Sequence, residues 1–128
     1  MSDEITLTLP ADRDFHRVAH LVLGGLAVRL NLTFENLEDL QLALDGLLDR
    51  TDENEDVTVS VRVECGTIAT SVGPFRGGAV RRELESSGTD DVGLRRVLET
   101  VADGFRLAER DGADWVEIEK RIRAEQEG

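Results

Sequence analysis

The sequence is poor in cysteine, in basic residues and in long apolar runs. Its one cysteine, Cys65, has no second thiol to pair with, which excludes a fold held by internal disulfide bonds. No apolar run approaches the roughly 20 residues that a membrane-spanning helix needs. The first residues lack the basic region and apolar stretch of a signal peptide. We therefore expect a cytoplasmic protein that does not enter a membrane.

Acidic residues outnumber basic residues by 27 to 15, which gives a formal net charge of -12. A protein that binds nucleic acid gains affinity by placing Lys and Arg against phosphates, so this charge argues against direct nucleic-acid binding. A basic or mixed-charge protein partner is more natural. The alternative is that the acidity only keeps the protein soluble, or reflects a salt-rich source.

A length of 128 residues is the size of one domain with one core, so we expect residues 1–128 to form a single domain with a polar tail over 123–128. The segment 36–50 predicts a core helix, because its leucines recur on one helical face while acidic residues occupy the other side. These leucines are Leu37, Leu40, Leu44, Leu47 and Leu48. Thr33 is well placed to cap this helix.

Alternation of apolar and polar residues predicts strands over 5–9, 57–64, 67–72, 105–109 and 115–120. Helical spacing predicts further helices over 11–30 and from Asp90 or Asp91 onward. Gly24 and Gly25 inside the first helix indicate a close approach by another element, or a kink. Segment 75–91 is rich in glycine and serine and is predicted to be mobile. This order predicts an α/β two-layer sandwich, with helices on one face of a mixed, mostly antiparallel sheet.

Asp12, His16, His20 and Cys65 are side chains of types that can bind a metal ion or react. Asp12, His16 and His20 stand at four-residue steps, which is a metal-ligand spacing on a helix, but an isolated histidine pair is usually solvated and no metal ligand is assigned. Cys65 has no basic cluster beside it in sequence, which favours an inert thiol. Trp115 is predicted to pack in the sheet.

Three stretches, together with the predicted order of elements, resemble the anti-sigma-factor serine/threonine kinase family, which has the GHKL (Bergerat) ATP-binding fold. They are Leu-Thr-Leu-Pro-Ala-Asp at 7–12, Glu-Asp-Leu-Gln-Leu-Ala-Leu at 38–44, and Gly-Leu-Arg-Arg-Val-Leu at 93–98 followed by Val-Ala-Asp at 101–103. The likeness covers nearly the whole chain. It implies a two-layer sandwich of the GHKL type, with a nucleotide pocket between helices and sheet.

The resemblance also implies where the catalytic pair of that family should lie. One member is a glutamate that activates the attacking hydroxyl, and the other is an asparagine that holds magnesium. The flanking residues put Gly46 and Arg50 at these positions, and glycine offers no base. A shift of one residue would instead put Asp45 and Asp49 there, with the same spacing and two possible magnesium ligands. No catalytic residue is therefore assigned.

The family also has an aspartate-glycine box that anchors adenine and a glycine-rich lid that leads into a phosphate-binding helix. Segment 71–75 has no carboxylate, and Asp90 and Asp91 put negative charge where an anion should lie. Arg81 and Arg82 in the lid would partly offset that charge. If ATP and Mg bind at all, the candidate nucleotide-binding residues are Asp45, Asp49, Arg50, Gly73, Gly77, Gly78 and Gly93, with Gly88 as a further lid glycine.

For function, the resemblance implies a regulatory protein of the anti-sigma type that binds protein partners and has lost its kinase activity. The implied partners are a sigma factor, an anti-anti-sigma (STAS-type) protein and a second copy of the chain. The surface of the first helix and the loop 76–91 are the expected contact regions. One alternative is a weak ATP-dependent serine/threonine kinase that acts on an anti-anti-sigma protein through Asp45 and Asp49. Another is a structural subunit of a heterodimer.

Overall fold

The computed structural model describes residues 3–10, 12–30, 32–51, 55–64, 66–85 and 93–121. The predicted polar tail at 123–128 lies outside these residues. The described elements are five strands and four helices, with a 3-10 turn at Arg13–Phe15. In chain order they are β1 Asp3–Pro10, α1 His16–Leu30, α2 Phe34–Leu48, β2 Asp56–Glu64, β3 Thr67–Phe75, α3 Ala79–Glu85, α4 Leu94–Val101, β4 Gly104–Arg110 and β5 Ala113–Arg121.

The five strands form one sheet in the order β1-β2-β3-β5-β4. Each described strand pair is antiparallel, so the prediction of a mixed sheet was wrong in that respect. The reason lies in the connections. The helices α1 and α2 lie between β1 and β2 in the chain, and the chain leaves α2 to enter β2 running opposite to β1, whereas a parallel neighbour is typical of a single crossover helix.

One face of the sheet is apolar and carries the helices, as the sequence predicts for an α/β two-layer sandwich. Alternate residues along the strands supply the buried side chains, while hydroxyl-bearing residues such as Thr8 and Thr58 lie on the opposite face and contact each other at 2.9 Å. The strand residues in the core include Leu9, Val57, Val59, Val61, Ile68, Val72, Val116 and Ile118.

Helix α2 is the central helix that its leucine spacing predicts. Its inner face is formed by residues that are at most 5% exposed: Leu40, Ala43, Leu44, Leu47 and Leu48. The predicted cap is confirmed, since the hydroxyl of Thr33 accepts a hydrogen bond from the Asn36 amide at 3.1 Å. Leu42 lies on the opposite side of the helix and is 54% exposed.

Removing this cap should weaken the fold by a measurable amount. We expect Thr33→Ala to lower the free energy of unfolding by about 1 kcal/mol in urea titrations, because one amide in the first turn of α2 loses its acceptor. Thr100→Ala is the matched control. Its hydroxyl donates to the Arg96 carbonyl inside α4 and caps no helix, so its loss should cost less than about 0.5 kcal/mol. Equal losses in the two variants would contradict the assigned role of Thr33.

Three local predictions need correction. Segment 75–91 is not one mobile loop, because Phe75 belongs to β3 and Ala79–Glu85 forms α3, while 86–92 lies outside the described residues. Asp90 and Asp91 also lie outside them, and the N-cap position of α4 is Gly93. Among the described residues, no heavy atom other than the adjoining backbone of α1 comes within 4 Å of a Cβ built on Gly24 or Gly25, so neither glycine makes room for another element of the chain. A kink at these glycines stays a prediction.

None of the helices that the structure describes is long and apolar enough to cross a membrane.

Candidate functional site

The positions that the resemblance assigns to the catalytic pair lie at the end of α2, beside α3 and the start of α4. Gly46 is in the last turn of α2, and Arg50 follows the helix. The Nη1 of Arg50 donates to the Gly46 carbonyl at 3.0 Å, which holds the guanidinium against the helix end. A Cβ built on Gly46 would lie 3.2 Å from Cδ1 of Leu94, so the space for a larger side chain at this position is limited.

Arg50 forms a two-point ion pair with Glu83 of α3. Its Nε donates to Oε1 of Glu83 at 3.1 Å, and its Nη2 donates to Oε2 at 3.0 Å. This is the fork geometry in which a planar guanidinium matches a carboxylate. The hydrogen bond to Glu83 raises the pKa of Arg50, and the same bond lowers the pKa of Glu83 although partial burial opposes it. Both side chains are about one third exposed, at 31% and 33%.

Glu83 also reaches the first residue of α4. The Leu94 amide donates to its Oε2 at 2.8 Å and further lowers the pKa of Glu83. The amides at a helix start have no partner within the helix and attract negative charge. Gly93 supplies no side chain for this purpose, so the carboxylate comes from α3. The carboxylate of Glu83 therefore occupies the start of α4, where the resemblance places phosphate.

Two further contacts hold α3 in place. Nε and Nη2 of Arg81 both donate to Oδ1 of Asp114 in β5, at 3.1 Å and 2.7 Å. These hydrogen bonds raise the pKa of Arg81, and the attraction between its positive charge and the carboxylate of Asp114 raises it further. Near the end of α3, the Leu84 carbonyl accepts from Nη1 of Arg95 at 2.9 Å. Helix α3 is thus tied by polar contacts to the end of α2, to α4 and to β5.

Asp114 is a buried carboxylate that the sequence interpretation missed, and it is 7% exposed. The alternation of residues along β5 could have identified it from the sequence. Asp114, Val116 and Ile118 alternate along β5 and so share the face that packs on the core. A carboxylate at such a position needs a cation or several donors, and Arg81 in the predicted lid is the cation that the structure provides.

Asp45 and Asp49 lie on the other side of α2, facing α1. With His16, Arg17 and His20 they line a surface pocket of about 340 Å³. Nε2 of His20 and Oδ1 of Asp45 are 2.6 Å apart. The two aspartates therefore lie in one pocket, and this pocket does not include Glu83 or Leu94.

The histidine pattern read from the sequence is only partly assembled. His16 and His20 share the pocket with the two aspartates, whereas Asp12 accepts a hydrogen bond from the Asp14 amide at 3.0 Å and is not among the residues lining it. In the described part of the chain, no three His, Cys, Asp or Glu side chains are grouped closely enough to hold a metal ion. Cys65 lies outside the described residues.

The predicted site glycines have separate structural explanations. A Cβ on Gly73 would lie 2.6 Å from Cδ2 of Trp115, so this glycine lets the indole pack on the backbone of β3, which is the sheet packing expected for Trp115. Gly77 and Gly78 have φ angles of 84° and 77°, a left-handed turn into α3 that other residues rarely adopt. Gly93 is the N-cap residue of α4 and lies directly before Leu94, whose amide binds Glu83.

Comparison with known proteins identifies relatives over nearly the whole chain. No family model matches. The chain is 27% identical to the serine-protein kinase RsbW of Listeria innocua and 27% identical to that of Listeria monocytogenes serovar 1/2a, over 91% of this chain and 86% of each relative. A crystal structure of the RsbU and RsbW domains of a Mycobacterium tuberculosis protein matches 94% of this chain with a TM-score of 0.67 and 14% identity. The match spans 32% of that longer chain, about one third, and it establishes the fold.

Proposed function

We propose that this chain is a regulatory protein of the anti-sigma type that works by binding other proteins. It is a weak homologue of the RsbW serine-protein kinases, but in this proposal it does not phosphorylate its partners. In this proposal residues 1–128 act as one cytoplasmic domain. The observation that carries the proposal is the Arg50–Glu83 ion pair, which occupies the region where a kinase of this family holds magnesium and phosphate.

The chemistry of that region is unfavourable for phosphoryl transfer. Gly46 offers no base, and the 3.2 Å approach of Leu94 leaves little room for one. Arg50 puts a positive charge where magnesium should be coordinated, and a cation repels a divalent metal. Glu83 puts a carboxylate at the start of α4, and a carboxylate repels phosphate. These three features together argue against catalysis.

The adenine side of the pocket supports the same proposal. Segment 71–75 supplies no carboxylate to accept from the adenine amino group, and the space beside Gly73 is taken by Trp115. Asp114 is the buried carboxylate closest to this segment in the sheet, since it pairs with Phe75. Its Oδ1 already accepts two hydrogen bonds from Arg81.

The second candidate function is a weak serine/threonine kinase, and the observation in its favour is that the curated relatives are named as serine-protein kinases. It needs Asp45 and Asp49 to replace the catalytic pair. We regard it as the weaker candidate, because both carboxylates face α1 and Asp45 is engaged by His20. A structural role beside an intact kinase-like subunit remains the third candidate, and a gene for such a subunit next to this one would favour it.

The outer surface of α1 and α2 is the contact region that we propose for a protein partner. The exposed large apolar side chains among the described residues all lie on the 3-10 turn and these two helices: Phe15, Val18, Leu21, Val28, Phe34 and Leu42. Leu21 and Val28, seven residues apart on α1, are 75% and 84% exposed. Helix α1 contains no acidic residue in a chain of net charge -12. Helix α2 adds the exposed carboxylates of Glu35 and Glu38 to this region, so the region suits a partner surface that is apolar and carries charges of both signs.

We propose a sigma factor or an anti-anti-sigma (STAS-type) protein as the partner, with a second copy of the chain as a further partner. The test is affinity capture from native extract with the wild type, Leu21→Glu and Arg106→Glu. Wild type should recover a sigma factor or a STAS-type protein, and Leu21→Glu should reduce recovery at least about tenfold, because a charge would be buried in an apolar contact.

Arg106→Glu is the matched control, since it places the same carboxylate on the exposed far side of the sheet, where Arg106 is 78% exposed. It should recover the partner as well as wild type does. Failure of the wild type to recover any protein of these two classes would overturn the proposed function. Equal recovery by both variants would place the contact elsewhere than α1.

A further inference from the structure

Helix α3 is too short to be stable by itself. It has seven residues, Ala79–Glu85, whereas isolated helices shorter than about 12–15 residues are marginal in water. Val80 and Leu84 are its two buried residues. Its position therefore depends on its contacts with the rest of the chain. Glu83 and Arg81 make the charged contacts among them.

The contacts of Glu83 join three separate parts of the chain. Both of its carboxylate oxygens bind Arg50, and one of them also accepts from the Leu94 amide. Arg50 is in turn bound to the Gly46 carbonyl of α2. One side chain of α3 thus fixes the helix to the end of α2 and to the start of α4. Arg81 fixes the other side of α3 to Asp114 in β5.

We propose that the Arg50–Glu83 pair is a latch that holds α3 against α2 and α4, so that α3 opens locally only when the pair separates. The carboxylate of Glu83 neutralises Arg50 and accepts from the Leu94 amide at the same time, so one side chain makes both contacts. Arg50 and Glu83 are positioning residues in this device, since they act by holding α3. The inference rests on the proposed function in one respect: it gives Arg50 and Glu83 a role in holding α3 and not a role in binding a nucleotide.

The test is hydrogen exchange of the full chain without nucleotide, comparing wild type with Arg50→Ala and Glu83→Gln. Glu83→Gln keeps the size of the side chain and removes its charge. In both variants the amides of α3 should exchange about five times faster or more, while those of β2 and β3 keep their wild-type rates, because only local opening of α3 becomes easier. Trypsin should also cut faster after Arg81 and Arg82.

The matched control is Arg106→Ala, which breaks the 2.6 Å ion pair with Glu117 on the far side of the sheet. It should leave the exchange of α3 unchanged. Wild-type rates of α3 in both latch variants would overturn the proposal, and so would faster exchange spread equally over α3 and the sheet, which would indicate general destabilisation. Neither outcome depends on partner capture. The exchange rates therefore test the latch, and the capture experiment tests the proposed function, so one can fail while the other holds.

Discussion

Leu47→Ala is expected to lower the free energy of unfolding by about 3–4 kcal/mol. Leu47 is in the inner face of α2 and is 0% exposed, so truncation removes buried methyl groups and leaves a cavity between the helices and the sheet. Urea unfolding followed by circular dichroism would measure the loss, and the slope of the transition should stay at its wild-type value.

Leu42→Ala is the matched control, with the same substitution on the same helix. Leu42 is 54% exposed and faces away from the sheet, so its truncation should change the free energy of unfolding by less than about 0.5 kcal/mol. Similar losses in the two variants would mean that the inner face of α2 is assigned wrongly. A loss confined to Leu47→Ala would support the packing described here.

Gly73→Ala should be the second severe substitution, with a cost of about 3 kcal/mol. Its Cβ would lie 2.6 Å from Cδ2 and 2.9 Å from Cε3 of Trp115, and the indole cannot withdraw without losing its packing on β3. The measurement is again urea unfolding. If the residue served only a nucleotide, the substitution would leave the stability of the free protein nearly unchanged.

Combining this substitution with Trp115→Ala tests the assigned cause. The methyl group introduced at residue 73 clashes only while the indole is present, so the double variant should be more stable than the sum of the two single losses by about 1 kcal/mol or more. Additive losses would show that the clash with Trp115 is not the reason for glycine at this position.

The elements with their own periodic pattern could be predicted from the sequence. In β2 the valines alternate with polar residues, and in α2 the leucines follow a helical face, so each pattern determines both the type of element and the buried side. The antiparallel direction of the β1–β2 pair could not be derived from these patterns alone. It depends on the direction in which the chain leaves α2 and enters β2.

Helix α3 was missed because its stability comes from residues far away in sequence. Val80 and Leu84 are its two buried side chains, and the ion pairs of Glu83 and Arg81 reach partners 33 residues away. The glycines at 77 and 78 suggest mobility from the sequence, but in the structure their left-handed φ angles form the turn that leads into the helix. A pattern over neighbouring residues contains no information about such contacts.

The site residues proposed from the sequence fall into two separate places in the structure. Arg50 and Gly93 do lie at or next to the cluster around Glu83, whereas Asp45 and Asp49 face α1. Helix geometry explains the difference, because a shift of one residue rotates a side chain by roughly 100° around the helix axis. Glu83 itself was not identified, because its significance depends on its two partners, Arg50 and Leu94, and not on its neighbours in sequence.

The most direct test of the central claim, that this chain acts by binding proteins without nucleotide chemistry, is calorimetric titration of the full chain with ATP and magnesium at physiological salt. We expect no binding heat up to millimolar ATP, since Arg50 and Glu83 occupy the places that the family resemblance gives to magnesium and phosphate. Binding in the micromolar range would contradict the account and would make the kinase the leading candidate.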